Sequence, residues 1–271
     1  MAKLQGLILD VDGTLADTEE VHRLAFNAAF SDFSLKWEWS RELYADLLSV
    51  SGGRERIQFY AESRGTELEC TDEPQDFAAK IHRRKTVHYQ RMLRAAKLRL
   101  RPGVERLLNE ARAKGIQLGI ATSSLRANVE ALLENVLGEE VLTWFDVIAT
   151  CDVIAEKKPS PAVYLYTLTE LGLDADACIA IEDTRNGNLA ALSAGMKTVI
   201  TTHPLTRHQD FSGASLVLDH LGEPDRPFTV IAGDAHGAHC VNVTLLRTLH
   251  AQEARPIKED AWGSLTASAG Q

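Results

Sequence analysis

The chain has 271 residues and a net charge of -9; 45% of the residues are hydrophobic and 25% are charged, which is ordinary for a globular protein of one large or two smaller domains. The acidic balance argues against a general nucleic-acid-binding protein, which needs a basic surface. Four widely spaced cysteines argue against a disulfide framework, and no apolar run approaches the roughly 20 residues of a membrane span. No signal peptide is recognisable, so a cytoplasmic protein is expected.

The first predicted element is a short apolar strand over residues 4–9, which ends in Asp10-Val11-Asp12-Gly13. An apolar run of this length that stops at a turn residue is typical of a buried parallel strand. Two carboxylates at its carboxyl end would repel each other without a cation, and Mg²⁺ prefers oxygen ligands. The alternative interpretation is an ordinary Asx-Gly turn with both aspartates solvated.

Residues 16–97 show helical patterns and no convincing strand. Helices are predicted near residues 18–30, 40–48, 53–63 and 75–96. This helical insert begins directly after the Asp10/Asp12 turn and ends before the breaker Arg101-Pro102-Gly103. An insert in that place is predicted to cover the site, where it would exclude water and supply specificity residues.

From about residue 100, predicted strands alternate with predicted helices, which indicates a parallel sheet covered on both faces. The strands are 116–121, 145–149, 178–181, 196–200 and 215–218, with helices near 103–113, 125–134, 160–171 and 185–193. Beyond Gly222 we predict a strand at 228–232, a helix at 241–252 and a frayed tail from Ala254. The predicted fold class is α/β, with a Rossmann-like parallel sheet core (1–15 and 98–222), an inserted all-helical cap (16–97) and a C-terminal extension (223–271).

Three groups of polar residues follow predicted strands in this core. Thr122-Ser123-Ser124 offers hydroxyls and backbone N–H groups to an anion, although Ser and Thr are also ordinary N-caps. Lys158 stands before a proline at a helix start, where it would meet a phosphoryl group or stay solvated. Glu182 and Asp183 end a buried strand, where a cation shared with Asp10 would justify two acids.

A fourth group, Ser51-Gly52-Gly53-Arg54, lies in the insert. Glycines permit close backbone approach to a ligand, and an arginine can bind a phosphate through two N–H groups. The alternative is a plain loop between two helices. Nearby, residues 81–101 contain eight Lys or Arg and no Asp or Glu, which favours a solvated basic face for most of these charges.

These motifs, in this order, resemble those of the haloacid dehalogenase superfamily of phosphotransferases with a C1-type helical cap. The four motifs stand here as residues 10–14, Thr122, Lys158-Pro159 and Glu182-Asp183. A closer resemblance, to the CbbY-like branch near the β-phosphoglucomutases, rests on residues 18–22, 51–57, 82–86 and 155–161. The chain departs from the pattern at Leu9, where Phe is frequent, at Asp17, where some relatives carry Glu, and in an extension without an evident counterpart.

The resemblance implies roles for individual residues. Asp10 would be the nucleophile and Asp12 the general acid and base, with Thr122 and Lys158 completing the catalytic set. The ligands implied for Mg²⁺ are Asp10, Asp12 through its backbone carbonyl, Asp183, and Glu182 directly or through water. Substrate contacts are implied for Asp17, His22, Tyr44, Ser51, Gly52, Gly53, Arg54, His82, Lys85, Thr122, Ser123, Ser124 and Lys158. Among these, His82 and Lys85 would meet a second phosphate together with Arg54.

The function implied by the resemblance is a Mg²⁺-dependent phosphoric monoester hydrolase that forms an aspartyl-phosphate. The CbbY-like branch implies xylulose 1,5-bisphosphate, a misfire product that inhibits Rubisco, and therefore a place beside the Calvin cycle. The alternatives are a phosphomutase of the β-phosphoglucomutase type and a phosphatase of another small sugar phosphate. Asp12 suits an oxygen leaving group, which disfavours a dehalogenase, and a non-catalytic binding module would be expected to lack a motif.

The partners implied are few. A small sugar phosphate is the expected ligand, with no nucleic acid and no membrane, and the chain is expected to be a monomer.

Overall fold

The structure, a computed structural model, describes residues 3–64, 74–96, 98–252 and 257. Its centre is a seven-stranded sheet in the order β3-β2-β1-β4-β5-β6-β7. The strands are β1 (Gly6–Leu9), β2 (Gln117–Ala121), β3 (Val147–Ala149), β4 (Cys178–Glu182), β5 (Lys197–Thr201), β6 (Leu216–Leu218) and β7 (Val230–Gly233). The first six strands run parallel and β7 is antiparallel to β6. The predicted α/β fold class is therefore confirmed.

Helices connect these strands. They are α1 (Glu19–Asp32), α2 (Arg41–Leu47), α3 (Gly53–Ser63), α4 (Pro74–Ala95), α5 (Val104–Ala113), α6 (Arg126–Leu137), α7 (Ala162–Leu171), α8 (Arg185–Ser193) and α9 (Val243–Ala251). Short 3₁₀ helices occupy Glu139–Trp144 and Ala175–Ala177. None of the helices within the described ranges is both long enough and apolar enough to cross a membrane.

Alternation of side chains along the strands gives the sheet two buried faces. On β1, Leu7 and Leu9 pack with residues of α5, α6 and α9, whereas Ile8 packs with residues of α7 and α8. All three side chains are fully buried, and each contributes about 1.5–3 kcal/mol of hydrophobic stabilisation. Both faces of the strand are apolar because helices cover both sides of a parallel sheet.

The insert between β1 and β2 has its own aromatic core. Phe26 and Phe30 of α1 pack against Trp39 at centroid distances of 4.5 and 4.8 Å, and Tyr44 lies in the same cluster. Ser40 caps α2 by accepting a hydrogen bond from the N–H of Leu43. Helices α1 and α3 both pack on α4. The described part of residues 16–97 is helical, as predicted; the domain boundaries themselves stay a prediction.

The extension continues the core sheet. Strand β7 pairs with β6, with Leu216 opposite Gly233 and Val217 opposite Ala232. Asn242 caps helix α9, because its side chain accepts a hydrogen bond from the N–H of Leu245, and the apolar side of the helix packs against the core through Leu246. The predicted tail from Ala254 lies outside the described residues, apart from residue 257.

Three of the four cysteines, Cys151, Cys178 and Cys240, are free thiols. Cys70 lies outside the described residues.

Candidate active site

The site lies at the carboxyl ends of the central strands. In the sheet register, Leu9 of β1 is paired with Ile120 of β2 on one side and with Ile181 of β4 on the other. The residues that follow these three positions therefore meet at one sheet edge. Because ligands bind beyond the carboxyl ends of parallel strands, this edge is the expected place for chemistry.

Lys158 and Asp10 form a buried ion pair at this edge. The Nζ atom of Lys158 donates to Asp10 Oδ1 at 2.7 Å and to the carbonyl of Ala121 at 2.8 Å, and it also donates to Glu182 Oε1. Burial alone would lower the pKa of Lys158, but the two neighbouring carboxylates outweigh it and raise that pKa. Lys158 therefore carries a fixed positive charge beside Asp10.

Glu182 is held by protein groups on every side. Its Oε1 atom accepts from the Tyr164 hydroxyl at 2.6 Å as well as from Lys158, and Oε2 accepts from the N–H of Asp183 at 3.2 Å. At Gly187 a Cβ would lie 2.0 Å from the Glu182 carboxylate, so only glycine leaves room for it. Both oxygens thus have partners, which suits Glu182 to position Lys158 and leaves it a weaker direct metal ligand than its neighbour.

Asp183 is fully buried and has an oxygen without a partner. Thr14 Oγ1 donates to its Oδ1 at 3.3 Å, while Oδ2 accepts no hydrogen bond. Burial, together with the charges of Asp10 and Glu182, raises the pKa of Asp183 well above its ordinary value. A buried carboxylate oxygen without a donor is costly unless a cation meets it.

The three acids Asp10, Glu182 and Asp183 place one oxygen each within 4.8 Å of one another. Burial also raises the pKa of Asp10, although Lys158 opposes the shift. An all-oxygen donor set at this spacing fits a hard divalent cation such as Mg²⁺. The Asp12 side chain is not a member of this cluster, because its carboxylate is hydrogen-bonded to other groups.

The Asp12 carboxylate points to the insert and is hydrogen-bonded to it. Oδ1 accepts from Thr18 Oγ1 at 2.6 Å and contacts His22 Nε2 at 2.9 Å, and Oδ2 accepts from Ser124. Burial would raise the pKa of Asp12, but His22 and the two hydroxyls outweigh it and lower that pKa. The two aspartates therefore have opposite surroundings, one among carboxylates and one among donors.

His22 connects Asp12 to a buried lysine. The Nζ atom of Lys85 lies 2.5 Å from His22 Nδ1, and it lies above the rings of Phe26 and Tyr89 at 4.8 and 4.9 Å. Burial lowers the pKa of Lys85 to about 7. This lysine can therefore change its charge near neutral pH.

A cavity of about 110 Å³ separates the insert from the sheet edge. The residues predicted for the site that line it are Asp10, Asp12, His22, Tyr44, Ser51, Gly52, Gly53, His82, Lys85, Thr122, Ser123, Ser124 and Lys158. His82 lies against Gly53, where a Cβ would be 2.6 Å from its ring. Burial, followed by the charges of Lys85 and His22, lowers the pKa of His82 to about 3.

Two residues predicted to contact substrate do not line this cavity. Arg54 is about half exposed and pairs with Glu55 at 3.3 Å. Asp17 is 63% exposed, and its Oδ1 pairs with His203 Nε2 at 2.8 Å. Neither side chain lines the cavity, although the charge of Arg54 is near enough to His82 to help lower the pKa of that histidine.

Sequence reasoning missed several residues that build the site. Arg56 lines the cavity and donates to the Tyr44 hydroxyl at 3.1 Å, and that hydroxyl donates to Glu19 Oε2 at 2.8 Å. Tyr164 holds Glu182 from α7. The only sequence signal for Arg56 is its place two residues after Arg54 in the same segment.

Comparison with known proteins identifies the family. The family model for haloacid dehalogenase-like hydrolases matches residues 7–201. The chain belongs to the haloacid dehalogenase-like hydrolases. It is a phosphoric monoester hydrolase of this family, and among its relatives is the phosphorylated carbohydrates phosphatase of Thermotoga maritima, 26% identical over 72% of this chain and 84% of the relative.

The relatives of this hydrolase include CbbY proteins. It is 43% identical to plasmid-encoded CbbY of Cupriavidus necator, over 91% of this chain and 97% of the relative. The match covers 91% of this chain, which is more than residues 1–222 make up, so it extends into residues 223–271. This corrects the expectation that the extension has no counterpart. CbbY of Cereibacter sphaeroides is 41% identical over 81% of this chain and 94% of the relative.

Solved structures agree with this membership. CbbY of Rhodobacter sphaeroides, crystallised with phosphate, superposes with a TM-score of 0.75 at 40% identity and covers 80% of this chain and 94% of its own. Its D10N mutant was crystallised with xylulose-(1,5)bisphosphate and superposes equally well. β-Phosphoglucomutase of Clostridium difficile, at 22% identity and a TM-score of 0.66, shares the fold over 80% of this chain and 91% of its own.

Proposed function

We propose that this hydrolase is a Mg²⁺-dependent sugar-phosphate phosphatase that forms an aspartyl-phosphate on Asp10, and that xylulose 1,5-bisphosphate is its preferred substrate. The observation that carries the proposal is the contrast between the two aspartates. Asp10 lies beside Lys158 and the partnerless oxygen of Asp183, whereas Asp12 lies among the hydroxyl and imidazole groups of Thr18, Ser124 and His22. Two carboxyls in unlike environments suit two unlike roles.

In the first step, a carboxylate oxygen of Asp10 attacks the phosphorus of the substrate and the bond from phosphorus to the sugar oxygen breaks. Asp12 gives a proton to the departing sugar oxygen. Asp12 must be protonated for this, and a bound phosphate dianion favours protonation because like charge raises a carboxyl pKa. The His22 ring links Asp12 to Lys85, from which a proton can reach it.

In the second step, Asp12 accepts a proton from water while the water oxygen attacks the phosphorus of the aspartyl-phosphate. The bond between phosphorus and Asp10 breaks, and phosphate leaves. The lowered pKa of Asp12 keeps it ready to act as a base once the sugar has gone. Each carboxyl therefore returns to its starting state.

The phosphoryl oxygens need donors during both steps. Lys158 offers a fixed cation, and Thr122 Oγ1 accepts from the N–H of Ser124 at 3.2 Å, so its own hydrogen is available to a phosphate oxygen. Asp10 and Asp183, with the backbone carbonyl of Asp12, would hold Mg²⁺, which supplies charge stabilisation to the transferring group when bound.

The choice of xylulose 1,5-bisphosphate is supported by the relatives. Two CbbY relatives are 43% and 41% identical to this chain, and the D10N mutant of a CbbY that is 40% identical was crystallised with this compound. Within the cavity, His22, Arg56 and Lys85 add to Lys158 the cationic or protonatable groups that a second phosphate needs, and His82, which its lowered pKa keeps neutral, can offer a ring N–H.

The experiment is a phosphate-release assay with and without Mg²⁺ on xylulose 1,5-bisphosphate, xylulose 5-phosphate and β-glucose 1-phosphate. We expect Mg²⁺-dependent release of one phosphate from the bisphosphate, with a higher kcat/KM than for either monophosphate. Conversion of β-glucose 1-phosphate to glucose 6-phosphate without phosphate release would establish the mutase instead. Release independent of Mg²⁺ would contradict the metal assignment.

A further inference from the structure

One loop of the insert borders the cavity. It is the loop of residues 48–52 between α2 and α3, called here the cap loop, and its residues Leu48, Ser51 and Gly52 line the cavity. From the insert, Arg56 holds this loop: Nε donates to the carbonyl of Leu47 at 3.0 Å and Nη2 to that of Val50 at 3.1 Å. Arg56 therefore fixes the cap loop to the rest of the insert.

In the core, the Asn186 side chain binds the same loop. The Nδ2 atom of Asn186 donates to the carbonyl of Ser49 at 2.8 Å and to Ser51 Oγ at 3.1 Å. Asn186 lies three residues after Asp183, in the first turn of α8, which Thr184 caps by accepting from the N–H of Gly187 at 3.0 Å. The cap loop is therefore bound to the same turn that carries the candidate metal ligand.

A second core segment lies close to the loop. A Cβ at Gly52 would lie 3.4 Å from Lys157 Cγ, one residue before Lys158. The cavity beneath the loop, about 110 Å³, is smaller than the roughly 300 Å³ at which ligand pockets begin. Movement of the cap loop away from the core would enlarge this cavity for a sugar phosphate, and it would exchange the two Asn186 hydrogen bonds for water.

We propose that Asn186 is a positioning residue that fixes the cap loop in its closed place over the reacting phosphoryl group. It acts through Ser49 and Ser51 and touches no reacting atom. Its amide nitrogen has two hydrogens, one for each acceptor, so a single side chain closes the loop against the core. The kinetic part of the inference rests on the proposed phosphatase activity, whereas the movement of the loop is measurable without any substrate.

Three variants separate loop closure from stability. Asn186→Ala removes both hydrogen bonds. Asn186→Asp keeps the shape of the side chain but sets a carboxylate oxygen against the Ser49 carbonyl, and an acid in the first turn of α8 stabilises that helix. Arg185→Ala is the matched control, because it changes the neighbouring, exposed side chain at the same helix start.

Hydrogen–deuterium exchange of peptides over residues 47–53 is the direct measurement. Two lost hydrogen bonds are expected to speed exchange there about tenfold in Asn186→Ala and at least as much in Asn186→Asp. Asn186→Asp is expected to have a Tm no lower than that of the wild type. Faster exchange over residues 47–53 in this variant would therefore not result from a less stable fold. Arg185→Ala is expected to leave exchange in residues 47–53 unchanged.

Steady-state kinetics on the best substrate gives the second measurement. Loss of the two hydrogen bonds to the cap loop is expected to weaken substrate binding more than it slows the chemical step. Asn186→Ala is therefore expected to raise KM about tenfold and to change kcat less than about twofold. The Mg²⁺ dissociation constant is expected to stay within twofold of the wild type, which separates Asn186 from a support of Asp183. Ser51→Ala is expected to raise KM by a smaller factor, and by almost nothing when combined with Asn186→Ala.

Exchange rates over residues 47–53 that are equal in Asn186→Ala, Asn186→Asp and Arg185→Ala would overturn the inference, whatever the substrate is. A fall in kcat with unchanged KM in both Asn186→Ala and Asn186→Asp would also overturn the inference. A wild type that releases no phosphate would instead contradict the proposed function, and the exchange measurement would still decide the role of Asn186.

Discussion

Gly13 and Asp183 meet so closely that a Cβ at position 13 would lie 2.2 Å from Asp183 Oδ2. Gly13 has a φ of +83°, which few other residues adopt without strain. The same oxygen is the buried one that lacks a hydrogen-bond partner. The glycine thus keeps side-chain atoms away from the place where a cation would meet Asp183 and Asp10.

Stability should therefore depend on Mg²⁺ and pH together. Burial raises the pKa of Asp183 well above its ordinary value, so the metal-free native chain keeps a proton that the unfolded chain releases near pH 4. Its free energy of unfolding then falls as pH rises above about 4. Mg²⁺ replaces this proton, so the Tm gain on adding Mg²⁺ is expected to grow as pH rises.

Differential scanning fluorimetry between pH 5 and 8, with EDTA or excess Mg²⁺, measures this gain. In Asp183→Asn the gain is expected to fall to nearly zero at every pH, because the charged ligand is lost. A Mg²⁺ effect that is independent of pH, or that survives in Asp183→Asn, would contradict the assignment of the metal to this cluster.

Asp10→Asn should abolish turnover and preserve the fold. The amide is a poor nucleophile, so phosphate release is expected to fall by at least about 10³-fold, the scale on which covalent catalysis by a carboxylate is lost. The far-ultraviolet circular dichroism spectrum is expected to match that of the wild type. Phosphate release near the wild-type rate would remove Asp10 from the mechanism.

The strands and the acids that follow them could be predicted from the sequence, because each depends on residues that are neighbours in the chain. The strand before Asp10 is apolar on both faces, and Glu182-Asp183 ends a second such strand. Side-chain contacts between segments that are far apart in the chain could not be predicted. Asn186 meets Ser49, and Tyr164 meets Glu182, only after the insert and the sheet have taken their places.

The choice between Arg54 and Arg56 shows this limit most clearly. Residues two apart on a helix differ by about 200° in direction, so only one of them faces the cavity. Which one does so depends on the exact residue at which α3 begins. The structure begins α3 at Gly53 and turns Arg56 to the cavity.

Arg56→Ala is accordingly expected to impair activity more than Arg54→Ala. Arg56 supports the cap loop and the Tyr44 hydroxyl, so its loss is expected to raise KM for a sugar bisphosphate about tenfold or more, as for the loss of several charge-assisted hydrogen bonds. Arg54→Ala is expected to change KM less than twofold. Steady-state kinetics on a bisphosphate and its monophosphate decides between them.

The opposite result would restore the expectation drawn from sequence. If Arg54→Ala raised KM for the bisphosphate far more than for the monophosphate, Arg54 would reach the second phosphate after a movement of the insert. Equal and small effects of both variants would remove this end of α3 from substrate binding.

Arg101 should be a stability residue, although it ends the basic segment seen in the sequence. Its guanidinium donates to the carbonyls of Thr201, Thr202 and Asp219 at 2.9, 2.7 and 2.7 Å, and also to that of Gly13. Arg101→Met would leave these buried acceptors unpaired. The expected loss is about 3 kcal/mol or more in the free energy of unfolding.

Urea denaturation measures this loss, with Arg112→Ala as the control. Arg112 is exposed and stacks on Trp144 at 4.3 Å, a contact worth about 0.5–1 kcal/mol at an exposed site. Similar losses in both variants would mean that the carbonyl contacts of Arg101 contribute little.

The contribution of Lys85 to the free energy of unfolding is expected to depend on pH. Burial lowers its pKa to about 7, below the value near 10.4 expected in the unfolded chain. Between these two values the unfolded chain binds more protons, so the contribution of Lys85 to stability rises with pH. Below pH 7 the native chain carries a buried charge whose desolvation is fully unfavourable.

Lys85→Met keeps the volume of the side chain and removes that charge. It is expected to be more stable than the wild type by about 1–3 kcal/mol at pH 6, the range found when buried ions are replaced by apolar residues. The difference should shrink steadily between pH 7 and pH 10, because native Lys85 becomes neutral there. Urea denaturation of both proteins at pH 6, 8 and 10 measures it. A difference that stays constant across this range would mean that Lys85 keeps its charge in the native chain, paired through His22 with Asp12.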